Sequence, residues 1–301
     1  MQEFYSNGKL LLTGEYVVLD GVTALAVPTK YGQSLTVEHI PEQKLIWESF
    51  NHESELWFHT EFDLTSQPIK WQTKSDVAKR LVQILNAVKQ LNPEFLNNKH
   101  GFKIKTHLDF PNNWGLGTSS TLINNIAQWA NVDAFKLLEL TFGGSGYDIA
   151  CAQNNTAITY TIKDNTPSIN PIIFNPDFKS FLYFVHLNQK QNSRDGINYY
   201  RKQKKNSIFE IRSINDLTKK IINCNKLVEF IELIELHEMV IAKITKQIPV
   251  KTKLFNDFNG AIKSLGAWGG DFVLVVSIDD PTNYFYKRNY KTVITYKDMI
   301  L

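Results

Sequence analysis

Cysteine is scarce in this chain of 301 residues, in which Cys151 and Cys224 are the only two. Two thiols cannot build a disulfide framework or a four-thiolate zinc site. Charge of one sign is not in excess either, because 33 Lys and Arg residues face 30 Asp and Glu residues and leave a net charge of +3. This balance argues against nucleic acid as a partner, since nucleic-acid-binding proteins usually carry a strong basic excess or a basic face.

Long hydrophobic runs are also missing. No apolar run approaches the roughly 20 residues that span a bilayer, and residues 272–276 form only a short strand-like run. The polar residues Glu3, Asn7 and Lys9 interrupt the start of the chain, so we expect no targeting leader. These absences predict a cytoplasmic protein in a reducing compartment, with no membrane partner.

The composition that is present, 43% apolar and 21% charged, is typical of a globular chain with room for a sizeable core. Period-2 patterns predict strands and period-3.6 patterns predict helices in both halves of the chain, which gives an α+β fold class. Loop-like residues 165–171 predict a boundary between one domain at residues 1–165 and a second at residues 166–301.

Several secondary-structure predictions are specific enough to be tested. A helix is predicted to begin at Ser75 and Asp76 and to stop at Asn92. A long helical region is predicted from about residue 193 to 263. The predicted strands cover residues 23–27, 34–39, 44–48, 55–61, 102–107, 156–162, 181–187, 272–277 and 292–296.

The most informative segment is GLGTSS at residues 115–120. Its glycines let the backbone turn tightly and approach a ligand, and the predicted helix after them points free N–H groups back into the turn. Its three hydroxyls suit phosphate oxygens or Mg²⁺. A glycine turn with ordinary Ser and Thr helix caps is the alternative. The segment has neither the Walker pattern nor the third glycine of the dinucleotide fingerprint.

Three other glycine-containing segments carry charged residues. Lys9 follows Gly8, where a lysine can reach a phosphate or a reacting hydroxyl, although this segment taken alone favours a surface lysine before an edge strand. Asp148 follows a glycine turn at residues 143–146, a position that suits a general base or an acidic residue in the first turn of a helix. Residues 266–271, GAWGGD, precede a predicted strand and fit either a phosphate cover or a hairpin.

Taken in order, these segments resemble the motifs of the GHMP small-molecule kinases, the superfamily of galactokinase and of homoserine, mevalonate and phosphomevalonate kinases. Gly8-Lys9 with Gly14-Glu15-Tyr16 resembles the first motif, in wording closest to mevalonate and phosphomevalonate kinases. Residues 115–120 resemble the ATP phosphate loop, and residues 266–271 the third motif. Residues 145–148 resemble the segment with the catalytic aspartate, and GYDIA is similar to a bacterial branch.

The resemblance implies a two-domain fold with its active site between the domains. The N-terminal domain would be ribosomal-protein-like, nucleotide-binding and catalytic, and the C-terminal domain would be ferredoxin-like. The implied reaction is ATP- and Mg²⁺-dependent transfer of a phosphoryl group to a small alcohol or phosphate. Mevalonate or phosphomevalonate would be the substrate, isoprenoid biosynthesis the pathway, and a monomer or homodimer the working form.

The resemblance also assigns roles to residues. Asp148 would be the base, and Lys9 would lie within its reach and polarise the acceptor oxygen. Mg²⁺ would be held by Ser119 and by Glu139, which lies two residues closer to Asp148 than the family spacing. The nucleotide phosphates would contact Gly115, Leu116, Gly117, Thr118, Ser119 and Ser120. The substrate would contact Glu15, Tyr16, Gly266 and Trp268, and Trp268 would narrow a pocket because the family usually has glycine there.

Other functions fit the same segments. One is a non-catalytic nucleotide-binding relative, against which Lys9, Ser119 and Asp148 argue. Another is a homoserine or sugar kinase of the same superfamily. A third is diphosphomevalonate decarboxylase chemistry, which the kinase-like Gly-Glu-Tyr opening disfavours. His186 and His237 are interpreted as structural histidines.

Overall fold

The computed structural model describes residues 1–65, 69–97, 100–190, 193–203, 208–268 and 270–301. Residues 204–207 of the predicted helical region and Gly269 of the third motif lie outside these ranges. The strands in the described ranges are β1 (Gln2–Leu11), β2 (Ala24–Ile40), β3 (Lys44–Phe50), β4 (Leu56–Asp63), β5 (Lys70–Trp71), β6 (Gly101–Leu108), β7 (Ile158–Lys163), β8 (Thr166–Pro171), β9 (Leu182–His186), β10 (Ala261–Ser264), β11 (Phe272–Val276) and β12 (Val293–Thr295).

The helices in the same ranges are α1 (Asp76–Leu91), α2 (Thr118–Ala130), α3 (Ala134–Thr141), α4 (Tyr147–Ala152), α5 (Ser193–Gln203), α6 (Ile208–Ile222), α7 (Leu227–Thr245), α8 (Val250–Leu254), α9 (Thr282–Tyr286) and α10 (Tyr296–Met299). Strands and helices therefore occur in both halves of the chain, and the predicted α+β class is confirmed.

The predicted helix after Ser75 is confirmed as α1, because the Ser75 hydroxyl accepts a hydrogen bond from the Ala78 amide as an N-cap. Two predictions were wrong. Residues 166–171 form the edge strand β8 and not a loop, since proline is tolerated at a sheet edge. The helical region ends before β10, which pairs antiparallel with β11 and buries all four of its residues.

The chain forms two compact units, each assembled from segments that are separated in sequence. The first unit contains Met1–Gly8, Tyr31–Asn112 and Gly117–Gln153. The second unit contains Lys9–Lys30, Asn113–Leu116 and Asn154–Leu301. Strands β1 and β2 contribute residues to both units, whereas the boundary predicted at residue 165 divides the chain only once. That division stays a prediction.

The first unit is a mixed sheet covered by helices. Its strands follow the order β5-β4-β3-β6-β2, and β3 and β6 are the parallel pair among them. Helix α2 packs on α1, α3 and α4. The core between these elements contains Trp47, Phe62, Ile84, Ile104 and Ile126, all buried. This packing fixes the first turn of α2 and the short helix α4, where several candidate residues lie.

The second unit contains an antiparallel sheet of order β10-β11-β9-β12. Strand β11 lies within the strand predicted at residues 272–277, and it is buried along its whole length. Helix α7 packs on α5, α6 and β10, and it places His237 and Glu238 in the interior. Within the described residues, no helix is both long and apolar enough to cross a membrane.

Candidate active site

Lys9 holds a segment of the predicted phosphate loop through both its main chain and its side chain. In the second unit, the Lys9 amide donates a hydrogen bond to the Leu116 carbonyl at 2.9 Å. The Lys9 Nζ atom donates to the Gly115 carbonyl at 3.0 Å. The structure therefore brings Lys9, Gly115 and Leu116 together, although they are about a hundred residues apart in sequence.

Gly115 is also where the second and third motifs meet. Its φ is +69°, and a Cβ atom built there would lie 2.3 Å from the Cγ atom of Asp271. No larger residue fits without moving Asp271, so glycine is required for both its backbone conformation and its size. The Asp271 amide in turn donates to the Gln189 carbonyl at 2.7 Å.

His186 anchors the start of the same segment. The Asn188 amide donates to Nδ1 of His186 at 3.3 Å, so the ring proton lies on Nε2, which donates to the Asn113 carbonyl at 3.1 Å. Burial lowers the pKa of His186. Both ring nitrogens are engaged, which fits the interpretation of His186 as a structural histidine.

In the first unit, the N-terminus of α2 is built to receive an anion. Gly117 is its N-cap, with a φ of 97° and no side-chain hydrogen bond to the first-turn amides. Those amides carry the positive end of the helix dipole. The Ser120 hydroxyl is buried and donates to the Gly117 carbonyl at 2.8 Å. Ser119 is exposed, so of these two serines it is the one that can present a hydroxyl to a ligand.

Asp148 lies at the start of α4, where Gly146 is the N-cap. The Asp148 carboxylate is half-buried and accepts a hydrogen bond from the Ile149 amide at 3.1 Å. Glu139 lies on α3 and is exposed. Whether Lys9 reaches Asp148, and whether Glu139 binds Mg²⁺, stay predictions.

The donor set fits a metal ion held largely by phosphate oxygens. Among the described residues, no group of three or more His, Cys, Asp or Glu side chains could hold a metal ion. Mg²⁺ characteristically keeps several waters and binds through one or two protein groups together with substrate phosphates. The exposed Ser119 hydroxyl beside the uncapped first turn of α2 is compatible with that mode.

A buried network of neutral side chains supports α2 from within the first unit. The Ser6 hydroxyl donates to Asn125 at 2.6 Å and accepts from Asn124 at 2.8 Å. The Asn125 amide group donates to the Gln33 carbonyl at 2.8 Å. Gln153, which follows α4, donates to Asn124 at 2.9 Å. The network therefore ties α2 by hydrogen bonds to β1, to β2 and to the residue that follows α4.

A pocket of about 380 Å³ lies within the second unit. Its lining residues are Tyr16, Asp195, Gly196, Tyr199, Gln247, Ala267 and Trp268. Two residues predicted to bind substrate, Tyr16 and Trp268, therefore lie on the same pocket. Tyr16 is held in place by stacking on Tyr200, with ring centroids 5.6 Å apart. Gly196 leaves room for it, because a Cβ atom there would lie 2.6 Å from the Tyr16 hydroxyl oxygen.

The chemistry of this pocket is aromatic and acidic. Tyr16, Tyr199 and Trp268 contribute rings, Gln247 contributes an amide and Asp195 contributes a carboxylate. None of the described lining residues is Lys, Arg or His. Gly266 lies two residues before Trp268 with a φ of +57°, and it is not among the described lining residues.

Glu15 is not among the described lining residues of this pocket, and its side chain is fully buried. Its carboxylate accepts a hydrogen bond from Lys263, which is also fully buried, and lies 3.6 Å from Nε2 of His237. Burial raises the pKa of Glu15 to about 7, while Lys263 acts to lower it. Burial holds the pKa of His237 well below its usual value. Glu15 is therefore not part of the substrate site that is proposed below.

Sequence reasoning missed Lys263 as the partner of Glu15 and Glu238 as the partner of Ser264. The local signal was a lysine inside the apolar segment 261–265 and an acidic residue on the largely apolar helix α7. Such a signal marks a buried charge that needs a counter-charge. It does not name Glu15, which lies 248 residues from Lys263.

No protein-family model and no curated protein matches the sequence. Solved structures do match the fold. The mevalonate kinase of Methanococcus jannaschii is 17% identical with a TM-score of 0.69, over 97% of this chain and 96% of that one. The phosphomevalonate kinase of Streptococcus pneumoniae, in complex with phosphomevalonate and AMPPNP, is 16% identical with a TM-score of 0.69, over 96% of both chains.

The galactokinase of Lactococcus lactis, complexed with galactose, also matches. It is 12% identical with a TM-score of 0.68, over 100% of this chain and 93% of that one. At these identities the likeness is one of fold. The chain has the fold of the GHMP small-molecule kinases along essentially its whole length, and the fold prediction is confirmed.

Proposed function

We propose that this protein is an ATP- and Mg²⁺-dependent phosphotransferase that acts on a small alcohol or phosphate. The observation that carries the proposal is the N-terminus of α2, capped by Gly117 without a side-chain cap, in a chain with a full-length kinase fold. A helix start of this kind suits a phosphate group. The close packing of Gly115 against Asp271 supports the proposal, because it joins two motif segments at this loop.

In this proposal, residues 115–120 hold the nucleotide phosphates and Ser119 contributes a hydroxyl to Mg²⁺. When bound, Mg²⁺ would neutralise charge that develops on the phosphate oxygens. The Lys9 side chain, anchored on the Gly115 carbonyl, contributes a positive charge next to the same segment. These residues would orient the nucleotide phosphates and neutralise their negative charge, and these two effects are most of what a protein supplies in phosphoryl transfer.

Asp148 is the proposed general base. Its place in the first turn of α4 favours the ionised carboxylate, because the helix dipole stabilises negative charge there. The carboxylate would accept the proton of the acceptor hydroxyl, and Lys9 would stabilise the oxyanion that develops. An acceptor phosphate is already ionised and would need the base less.

Mevalonate and phosphomevalonate are the first acceptors to test. The Gly14-Glu15-Tyr16 wording of the first motif supports them, as do the folds of mevalonate and phosphomevalonate kinases. The pocket lined by Tyr16 and Trp268 is the proposed acceptor site. The isoprenoid pathway, the cytoplasmic setting and the monomeric or homodimeric state stay predictions.

A sugar is the second candidate acceptor, and the pocket itself favours it. Aromatic rings pack against the C–H faces of a sugar ring, and a carboxylate accepts hydrogen bonds from its hydroxyls. Asp195 would repel an anionic acceptor, and no described lining residue offers a compensating cation. The galactose-bound galactokinase shares this fold.

The decisive experiment is a phosphorylation screen with ATP and Mg²⁺ against mevalonate, phosphomevalonate, homoserine and a panel of sugars. Asp148→Asn should lower turnover of an alcohol acceptor by about 10²-fold or more while ATP binding is retained. The matched control is Asp76→Asn, which changes an exposed aspartate in the first turn of another helix. ATP binding without transfer to any acceptor would favour the non-catalytic relative, and near-normal turnover of Asp148→Asn would exclude the base assignment.

Asp195→Asn separates the two acceptor classes by the sign of its effect. For a sugar, the substitution replaces one of the two carboxylate oxygens by an NH₂ donor and removes the charge that strengthens the hydrogen bonds, so the acceptor KM should rise by about tenfold. For mevalonate or phosphomevalonate, loss of the same negative charge removes a repulsion, so the acceptor KM should fall. The ATP KM serves as the internal control in both cases.

A further inference from the structure

The two residues of the buried Glu15–Lys263 ion pair are close in sequence to residues that line the 380 Å³ pocket. Glu15 is followed by Tyr16. Lys263 lies in β10, and Ala267 and Trp268 come shortly after that strand ends. Both charged side chains have no exposed surface. The ion pair therefore joins the two chain segments that contribute Tyr16 and Trp268.

Helix α7 fixes both of these segments as well. The Gly14 amide donates a hydrogen bond to Nε2 of His237 at 3.1 Å. Ser264 donates to the Glu238 carboxylate from its amide at 3.1 Å and from its hydroxyl at 2.7 Å. Neighbouring residues of one helix thus hold the residue before Glu15 and the residue after Lys263.

The backbone on either side of the ion pair is held in conformations that residues with a Cβ atom rarely adopt. Tyr16 has a φ of 62° and Trp268 a φ of 28°, and both are large residues with a Cβ atom. Non-glycine residues in the left-handed region cost free energy and persist where surrounding contacts hold them. Gly14 and Gly266, with φ values of +84° and +57°, accompany them.

We propose that Lys263 is a positioning residue for the pocket: its buried ion pair with Glu15 sets the placement of Tyr16 and Trp268 relative to each other. The part of this inference that concerns an acceptor rests on the function proposed above. The part that concerns the geometry of the pocket does not.

Stability alone does not require an ion pair at this place. Replacing a buried ion pair by apolar residues of similar volume is often neutral or stabilising, whereas removing one partner is costly. A double apolar variant can therefore keep the fold while it loses the directional contact. His237 and Glu238, whose side chains face the pair, are not substituted in this double variant.

The first measurement is ¹⁹F NMR of the full chain labelled with 5-fluorotryptophan, in wild type and in Glu15→Met/Lys263→Met. The Trp268 resonance is assigned by its loss in Trp268→Phe. We expect it to shift or broaden in the double variant, whereas the resonance of Trp47, buried in the core of the first unit, stays unchanged. The matched control is Glu235→Gln/Lys251→Gln, an ion pair of the same unit with both side chains partly exposed.

The second measurement is steady-state kinetics with the acceptor found in the screen. We expect the double variant to raise the acceptor KM by about tenfold while the ATP KM changes little, because the pocket and not the phosphate loop is displaced. Glu15→Gln is measured in parallel, since it keeps the shape of the side chain and an oxygen that can accept from Lys263. Its effect should lie between wild type and the double variant.

A folded variant with an unchanged Trp268 resonance and an unchanged acceptor KM would overturn the inference. If the wild-type protein phosphorylates nothing, the ¹⁹F result still decides whether Lys263 positions the pocket. A shifted Trp268 resonance without activity would then support the positioning role and count against the proposed function.

Discussion

The two units each bury a polar cluster beneath a candidate site, but they build it from different chemistry. In the first unit, Ser6, Asn124, Asn125 and Gln153 are neutral and exchange hydrogen bonds of 2.6–2.9 Å. In the second unit, Glu15, His237, Glu238 and Lys263 are ionisable and buried. The first cluster supports the middle of α2, and the second lies next to the segments that line the pocket.

The two chemistries give different kinds of rigidity. A neutral network whose members satisfy one another holds its geometry at every pH, because none of its groups titrates. The ionic cluster is incompletely satisfied: among the described residues, Oε2 of Glu15 and Nδ1 of His237 have no hydrogen-bond partner. It depends on charge balance, so it should be costlier to break and sensitive to pH.

Breaking the ionic cluster at its single cation should have the largest effect. Lys263→Met leaves Glu15 buried without its counter-charge, and we expect a loss of about 3–5 kcal/mol in the free energy of unfolding. Urea denaturation measures it. Lys251→Met, at a partly exposed ion pair of the same unit, should cost at most about 1 kcal/mol. If the two variants lost the same free energy of unfolding, burial would not be the reason that the Glu15–Lys263 pair is costly to break.

Breaking the neutral network should cost less. Asn125→Ala removes the acceptor of the Ser6 hydroxyl proton and the donor to the Gln33 carbonyl, and we expect a loss of about 1–3 kcal/mol in the free energy of unfolding. The control is Asn223→Ala, which removes an exposed side chain that donates to the Lys219 carbonyl. The loss in Asn125→Ala should be the same at pH 5 and pH 8, and a loss that varied with pH would remove the contrast between the clusters.

The subtlest difference is the pH dependence of the ionic cluster. The pKa of Glu15 is raised from 4.5 to about 7, so the folded protein binds its proton more tightly than the unfolded chain does. Its contribution to stability is therefore complete below pH 4.5 and is lost as pH rises to about 7. The free energy of unfolding of wild type, relative to Glu15→Gln, should fall across this window.

His237 should act in the opposite direction. Burial lowers the pKa of His237, so its imidazole binds a proton less tightly in the folded protein than in the unfolded chain. The free energy of unfolding therefore decreases as pH falls below about 6.5. Glu238, whose pKa burial raises, acts in the same direction as Glu15. Glu94→Gln, at an exposed glutamate, is the control titration. If the difference in free energy of unfolding between wild type and Glu15→Gln did not change with pH, the proposed proton linkage would be contradicted.

Local chemistry made parts of the fold predictable. Ser75 capped α1 as expected, and the glycines before α2 and α4 adopted positive φ at the N-caps Gly117 and Gly146. Strand β8 was missed because its two prolines are more typical of a loop than of a strand. Strand β10 was missed because the predicted helical region was extended too far along the chain. In both cases the strand is defined by its pairing with β7 or β11, which local periodicity does not contain.

The sequence by itself determined the glycine turns and the three hydroxyls of the predicted phosphate loop, because these depend on residue type and short spacing. The family resemblance singled out Tyr16 and Trp268, which the structure places on one pocket. The tertiary structure decided that Glu15 is an internal anchor and that Lys263 is its partner. A buried charge must find a counter-charge somewhere in the fold. Glu15 and Lys263 are 248 positions apart in sequence, so only the packing of α7 and β10 against the first motif determines which counter-charge Glu15 meets.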